Sequence, residues 1–504
     1  MPVTPSYPGV YIEELPSGVH TITGVATSIA AFAGWAPQGP TAQATLVLSW
    51  SDYQRQFGGL DPRSLLSYSV NQFFLNGGQQ AYIVRLTDTA TAQIASVQIG
   101  AAPKELIVSA VNPGDWANNY QIAIKNSAAS PGRFQLQVIY APSGATPAIV
   151  ESFNNLSITT PDAQGRYVVD ILLGGSNFIT ASVPAGITGP PADITVSLNN
   201  STTGSPGTVL APNAVGFETA LQAGGGTGGV NQLATIDLFN ILCVPGEVNS
   251  LVLGQLDAFC KAHRAILIAD ADPNFTDFHH FTSGPGFHGD NSAFYFPWLQ
   301  APDPLAGNVI RNYPPCGFVA GQYASTDAGR GVWKAPAGTE TALVGVSGVA
   351  VPLTDQQNGF LNPVAVNCIR TFSAYGTVVW GARTTGGNDE AGSQWKYVPI
   401  RRLALFLETS LYRGTQWVVF EPNDAPLWSQ IRLNLGAFMQ TLFIKGAFQG
   451  SSPQQAYFVK CDSETTTPTD QDNGIVNILV GFAPLKPAEF VIIQIQQIAG
   501  QTVL

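Results

Sequence analysis

The chain has 504 residues, a net charge of −11 and only 11% charged residues. Because lysine and arginine form no runs, the composition argues against nucleic-acid binding through phosphate neutralisation. Apolar residues make up 45% of the chain, alongside 52 glycines and 36 prolines, so we expect a turn-rich globular protein with sizeable cores. A surface this poor in charge is prone to associate, which favours a subunit of an assembly.

The first 19 residues predict an extended N-terminal arm. Their prolines exclude a helix, and residues 10–15 alternate with strand character. The segment shows neither a basic stretch nor an apolar run, so we expect no signal peptide. The five cysteines lack any CxxC spacing and predict buried free thiols of a protein made in a reducing cytoplasm.

Residues 20–87 predict an α/β unit. Strands are expected at 44–49 and 80–86. A short helix capped at Ser51 and Asp52 is expected to run through residue 57, and a second helix is expected to open at residue 61.

Residues 88–230 change character, because charge nearly disappears and helical periodicity is absent. Short alternating stretches between turn residues, as at 134–139 and 166–171, predict strands. We therefore expect a β-rich domain that is inserted into a host domain.

The chain returns to an α/β pattern after residue 230. A strand at 240–244, a helix at 248–261 and a strand at 265–269 predict a βαβ unit with parallel strands. A helix at 403–412 and a strand at 417–420 are expected further on.

A long amphipathic helix is expected between residues 423 and 446, with Pro426 in its first turn. A final strand is predicted at 490–498. The apolar stripe of the long helix is Leu427, Ile431, Leu435, Phe438 and Leu442.

The predicted fold class is α+β with a mixed α/β core, in a multi-domain chain with extended strand arms at both ends. The N-terminal arm is 1–19 and the C-terminal arm is 486–504. Residues 20–87 plus 231–485 form a discontinuous core of one or two subdomains, and residues 88–230 form the inserted β-rich outer domain.

One cluster of residues suggests chemistry. Acidic residues and histidines follow the second strand of the βαβ unit, where α/β proteins often bind ligands, and Asp and His can hold a divalent metal. No metal-site spacing is present, so a solvated loop is the favoured interpretation. The cluster is Asp270, Asp272, Asp277, His279, His280, His288 and Asp290.

Eight stretches of the sequence have a pattern that is typical of one protein family. They are 7–14, 73–85, 331–336, 379–384, 397–402, 414–424, 458–462 and 487–491. These stretches resemble contractile tail sheath proteins, the family that includes sheaths of myophage tails and of phage-tail-like contractile injection systems. The resemblance covers residues 1–87 and about 230–500, whereas 88–230 and the loop at 270–290 match no pattern of the family.

The resemblance implies a structural, non-enzymatic virion or particle component without cofactor or metal. It would form stacked hexameric rings in a helical assembly around an inner tube, and contraction would drive the tube through a target envelope. Implied partners are further copies of the chain, the inner tube protein, baseplate and cap or terminator proteins, and, as an open alternative, paralogous sheath subunits. No nucleic acid and no direct membrane insertion is expected. The protein would be made in the bacterial cytoplasm and act in an assembled particle, inside the cell or released from it.

The strand-forming ends suggest how neighbours would be linked. Each end can add to a sheet edge of an adjacent copy by β-augmentation while proline-rich linkers bend. The expected N-terminal arm contacts are Val10, Tyr11, Ile12, Glu13 and Glu14, and those of the C-terminal arm are Phe490, Val491, Ile492, Ile493, Gln494 and Ile495. The expected hinges are Pro16, Gly18, Pro484 and Pro487, and the candidate tube contacts are Arg432 and Lys445.

Two other classes stay open at this point. One is a metal-dependent hydrolase that uses Asp270, Asp272, His279 and His280. The other is a surface-layer or adhesin protein, which the missing signal peptide disfavours. The sequence does not distinguish a phage from an injection system, nor an extended from a contracted sheath.

Overall fold

The computed structural model describes residues 20–101, 104–187, 189–223 and 228–494. The chain divides into two compact units. The terminal unit comprises the described parts of Met1–Ala26, Arg330–Ala335 and Tyr397–Leu504, and the main unit comprises Thr27–Gly329 and Pro336–Lys396. Within the described ranges, every helix is too short or too polar to span a lipid bilayer.

Helices and strands alternate through most of the chain. The helices are α1 (Trp50–Phe57), α2 (Leu65–Leu75), α3 (Val168–Gly175), α4 (Val215–Leu221), α5 (Ser250–Ala262), α6 (Cys316–Arg330), α7 (Asp355–Leu361), α8 (Val398–Gly414), α9 (Ala425–Ile444), α10 (Pro453–Ala456) and α11 (Pro468–Asp472). The strands are β1 (Ala30–Trp35), β2 (Thr45–Val47), β3 (Ala81–Leu86), β4 (Ser96–Ala101), β5 (Lys104–Ala110), β6 (Tyr120–Asn126), β7 (Phe134–Tyr140), β8 (Ala148–Leu156), β9 (Ile179–Ser182), β10 (Ile194–Ser197), β11 (Ile241–Cys243), β12 (Ile266–Asp270), β13 (Ser292–Phe296), β14 (Leu299–Asp303), β15 (Val309–Tyr313), β16 (Gly348–Val349), β17 (Val366–Phe372), β18 (Gly376–Val379), β19 (Tyr457–Lys460) and β20 (Leu479–Phe482).

An eight-stranded mixed sheet forms the core of the main unit, in the order β18-β17-β13-β12-β11-β1-β3-β2. The six inner strands run parallel, and β2 and β18 close the two ends as antiparallel strands. Strands β1, β11, β12 and β13 are buried along their whole length, as is typical of parallel strands covered on both faces. The mixed α/β fold class and the βαβ unit β11–α5–β12 are confirmed.

Helix α1 begins two to three residues earlier than the sequence indicates. The side chain of Ser49, not Ser51 or Asp52, accepts the capping hydrogen bond, from the backbone N–H of Asp52. Gly58 ends the helix in the left-handed conformation, at a φ of 91°.

Two further sheets of the main unit lie between residues 96 and 197, in the orders β10-β6-β7-β8 and β4-β5-β9. They enclose a hydrophobic cluster of their own, which runs from Ala95 to Leu198. In contrast, Phe217 and Leu221 of α4 pack into the core of the eight-stranded sheet. The description of residues 88–230 as an outer domain stays a prediction.

The predicted strand at 166–171 is wrong, because α3 occupies Val168–Gly175. In its first turn, the N–H of Val168 donates to the carbonyl of Ser157. Val168 and Leu172 then share one buried face at helical spacing. A short run in which nearly every residue is apolar fits both the helical period of 3.6 residues and the strand period of two. Alternation alone therefore does not distinguish a helix from a strand here.

The guanidinium of Arg85 is buried at the end of β3, where its side chain is 1% exposed. It donates hydrogen bonds to the carbonyl oxygens of Ala36, Pro37, Gly39 and Pro113. Burial lowers the pKa of Arg85 to about 10, so the group stays charged at neutral pH. It therefore fixes the loop after β1 against the segment that follows β5.

Candidate assembly surfaces

The hydrophobic core of the terminal unit forms mainly from α8 and α9. Helix α9 begins where Asp424 caps it by accepting a hydrogen bond from the N–H of Leu427, with Pro426 in the first turn. The predicted apolar stripe of α9 is buried and packs in one cluster with Leu403 and Leu407 of α8. The stripe is therefore core packing.

The two cations proposed for a tube contact lie in different surroundings. The guanidinium of Arg432 is partly buried and donates to the carbonyl of Cys461 and to Oγ of Ser429. Lys445 is exposed and follows the last residue of α9. Arg432 thus has an internal role that the sequence did not reveal, since its backbone acceptor is 29 residues away.

Strands β19 and β20 form an antiparallel two-stranded sheet, with Tyr457 opposite Phe482 and Lys460 opposite Leu479. In the described part of the chain each strand has one partner, so each carries an unpaired edge. Phe458 and Leu479 are 53% and 54% exposed. One face of the pair packs against the core of the terminal unit, through Tyr457, Val459, Val480 and Phe482, while the strand edges stay open to a further strand.

The chain after β20 contacts the terminal unit around Pro484 and again at Glu489. Pro484 forms an isolated antiparallel bridge with Phe448. The hydroxyl of Tyr397 then donates to Oε2 of Glu489 at 3.2 Å. Of the two hinges predicted here, Pro484 is thus tied to its own unit, whereas Pro487 lies between the two attachment points.

Beyond Glu489 the chain is apolar and exposed. Phe490, Val491, Ile492 and Ile493 expose 76%, 80%, 84% and 79% of their surface. The predicted strand at 490–498 is not formed at 490–494, the part of it that the structure describes.

The remaining predicted arm and hinge residues lie outside the described part of the chain. They are Val10, Tyr11, Ile12, Glu13, Glu14, Pro16, Gly18 and Ile495.

The loop between α8 and α9 contains a strained aromatic residue. The predicted strand at 417–420 is wrong, because a 3₁₀ turn covers Gln416–Val418. Side chains divert the chain from an extended path, since the amide of Gln416 donates to the carbonyl of Tyr412 at 3.0 Å. Phe420 has a φ of 72° and is 102% exposed, a conformation that costs a non-glycine residue about 1–3 kcal/mol.

Asp270 and Asp272 have structural roles. The Asp270 carboxylate is buried and accepts hydrogen bonds from the backbone N–H groups of Gly246, at 3.0 Å, and Cys316, at 2.8 Å. Burial raises the pKa of Asp270 to about 6, against the lowering effect of these bonds. Asp272 accepts from the N–H of Asn274 in a turn.

The other members of the cluster are dispersed along the loop. Asp277 caps a 3₁₀ turn by accepting from the N–H of His279, and His280 stacks on Phe275. Asp290 accepts from the hydroxyl of Ser393. Across the described residues, no group of three or more His, Cys, Asp or Glu side chains is placed to hold a metal ion. The metal-dependent hydrolase thus has no support from the structure.

Comparison with solved structures shows the fold over almost the whole chain. The contracted helical sheath of the anti-feeding prophage is 24% identical, with a TM-score of 0.59, over 98% of this chain and 100% of that one. The contracted sheath complex of the extracellular injection system PVC is also 24% identical, with a TM-score of 0.58, over 98% of both chains.

Sequence comparison identifies the family. A prophage major tail sheath protein of Pseudomonas aeruginosa is 26% identical over 257 residues, which are 49% of this chain and 62% of the relative. The chain therefore spans about three-fifths of that relative's length. The model of the phage tail sheath protein central domain matches residues 230–385, and that of the phage tail sheath C-terminal domain matches 390–498. Together they cover just over half of the chain, which belongs to the phage tail sheath protein family.

Proposed function

We propose that the chain is the subunit of a contractile sheath. Copies polymerise as stacked hexameric rings around an inner tube, and contraction drives the tube through a target envelope. Neighbours are linked by strands that the chain ends contribute to adjacent copies. The role is structural and requires neither catalysis nor a cofactor.

The observation that carries this proposal is the exposed C-terminal arm. Four consecutive large apolar side chains, Phe490–Ile493, extend beyond the attachment at Glu489 without cover from the described chain. The same unit offers two open strand edges, on β19 and β20. An extended apolar segment and an unpaired edge are the two halves of β-augmentation.

The energetics require more than one link per subunit. A strand with about six backbone hydrogen bonds contributes ~3–9 kcal/mol, since each bond nets ~0.5–1.5 kcal/mol. Association costs ~4–15 kcal/mol, so a single arm is marginal. Arms at both ends, closed into rings, raise the effective concentration of each strand near its acceptor.

Strand exchange also allows movement without dissociation. If the arms stay paired while the linkers bend, the bodies of the subunits can slide and bury new surface, gaining ~25 cal/mol per Å² of apolar area. The segment between Pro484 and Glu489, which contains Pro487, is the proposed hinge at the C-terminal end.

The remaining partners follow from the sheath role. The inner tube protein, a baseplate and a terminal cap would contact the polymer, and Arg432 and Lys445 stay the predicted tube contacts. The assembled particle would act in the cytoplasm or after release from the cell.

Electron microscopy of the expressed full-length protein tests the proposal. Wild-type protein should form tubes. The double substitution Val491→Pro/Ile493→Pro removes two backbone N–H donors and should abolish them, because proline cannot complete a ladder.

The matched control is Val491→Ala/Ile493→Ala, which removes the side chains but keeps the donors and should leave shorter or fewer tubes. Tubes of the proline variant that equal those of the wild type would contradict strand exchange by this arm.

A further inference from the structure

Two exposed pairs of residues flank helix α9. In each pair an apolar residue is followed by a charged one. Before the helix, Phe420 is 102% exposed and the exposed Glu421 follows it. After the helix, Ile444 is 75% exposed and the exposed Lys445 follows it. Neither pair belongs to the arm or to the open strand edges, so strand exchange leaves both unexplained.

Hydrogen bonds fix the backbone on either side of the first pair. Phe420 adopts the left-handed backbone conformation, at a φ of 72°. The N–H of Glu421 donates to the carbonyl of Val418 at 3.1 Å, and the amide of Asn423 donates to the carbonyl of Ile475 at 3.0 Å. An aromatic residue that has a strained backbone and contributes nothing to its own core indicates a function outside the chain.

The second pair is equally well defined. Ile444 is the last residue of α9, and the N–H of Lys445 closes the helix by bonding to the carbonyl of Thr441 at 3.2 Å. Gly446 then turns the chain away at a φ of 78°. In the part of the chain that the structure describes, no ion pair involves the side chain of Glu421 or Lys445.

The two pairs are complementary but cannot meet within one copy. One joins an aromatic ring to a carboxylate, and the other joins an aliphatic side chain to an ammonium group. The 20 residues of α9 separate them by about 30 Å of helix, since each residue advances the axis by 1.5 Å. In an assembly of identical copies, the two pairs can therefore meet only between different copies.

We propose that Phe420 and Glu421 of one copy dock on Ile444 and Lys445 of the next copy. The inference rests on the proposed sheath function and names a second contact in addition to the arms. It assigns Lys445 to a neighbouring copy in place of the inner tube. Such a contact joins two different patches and is therefore heterologous, the type that propagates into rings or open helices.

The charges determine which pair meets which in this contact. A reversed arrangement would place Glu421 near Glu421, or Lys445 near Lys445, and like charges oppose it. The aromatic ring supplies apolar area, while the ion pair supplies orientation.

A charge-swap experiment on the full-length protein tests the contact through the concentration at which tubes form. Glu421→Lys and Lys445→Glu should each raise this concentration about tenfold, because each places like charges together. The double variant should return it close to the wild-type value. Lys261→Glu, an exposed lysine in the last turn of α5, is the matched control and should change little.

A photo-crosslinking residue at position 420 gives an independent measurement. Irradiated tubes should yield a cross-link from position 420 to the peptide with Ile444 and Lys445 of a second copy. A double variant no better than the worse single variant, or a cross-link to the tube protein, would overturn the contact. If the wild-type protein forms no tubes, both this contact and the sheath proposal are overturned. If the two single variants and the double variant form tubes at the same concentration as the wild type, only this contact is overturned.

Discussion

The hydroxyl of Tyr397 donates a hydrogen bond to Oε2 of Glu489, 92 residues further along the chain. Tyr397 is the N-cap residue of α8, so the bond joins the start of the core helix to the root of the C-terminal arm. The apolar residues that follow Glu489 are therefore presented from a defined point of the terminal unit.

Removal of this bond should weaken assembly more than folding. In Tyr397→Phe the ring remains and one bond to a partly buried carboxylate is lost, which costs about 1 kcal/mol. We expect a concentration for tube formation about fivefold higher, since ~1 kcal/mol changes an equilibrium by that factor. Tyr375→Phe, at a 53% exposed tyrosine of the main unit, is the control. Equal effects of both substitutions, measured by sedimentation, would contradict a role of Tyr397 in orienting the arm.

A buried amide in α9 predicts a stabilising substitution. Asn434 is 2% exposed, and neither atom of its amide has a hydrogen-bond partner among the described residues. A buried polar group without a partner costs ~1–3 kcal/mol, so Asn434→Leu should raise the free energy of unfolding by about 1–2 kcal/mol. Thermal unfolding of dispersed subunits measures this gain in stability. Asn434→Ala, which leaves the space unfilled, should gain less, and a lower melting temperature of the leucine variant would refute the prediction.

Asp270 predicts a pH dependence of stability. Burial raises its pKa from 3.8 to about 6 in the folded state, so the folded protein binds this proton more tightly than the unfolded chain does. The stabilisation is complete below pH ~4 and is lost as the pH rises through about 6. Two pKa units correspond to about 3 kcal/mol.

The comparison of wild type with Asp270→Asn isolates this group from the other carboxylates. When the pH is lowered from 7 to 4.5, the melting temperature of the wild-type protein should rise relative to that of the variant, because asparagine does not titrate. Parallel melting curves of the two proteins across this range would show that Asp270 does not carry the effect.

The sequence predicts β2, β3, β11 and β12 of the main sheet but not β1, β13 or β17, and the success has a physical reason. Buried parallel strands such as β12 are continuous apolar runs, and α5 between β11 and β12 has a clear helical stripe. For these elements the local sequence pattern and the tertiary structure agree, so the sequence alone predicts them.

Prediction fails where contacts distant in sequence decide the conformation. Helix α3 and the turn at Gln416–Val418 form from short apolar runs that also suit a strand. The sequence makes Asp270 a candidate metal ligand, whereas in the structure the backbone N–H groups of Gly246 and Cys316 donate to its carboxylate. The same holds for Tyr397 and Arg432, since no pattern in the sequence identifies their acceptors.

Hydrogen exchange of the backbone amides of residues 490–494 tests the central claim most directly. In dispersed subunits these residues form no strand, so their amides should exchange rapidly. In assembled tubes alternate amides should become protected by about a hundredfold or more, because they would pair with a strand edge of a neighbouring copy. Equally rapid exchange in tubes and in dispersed subunits would contradict the account.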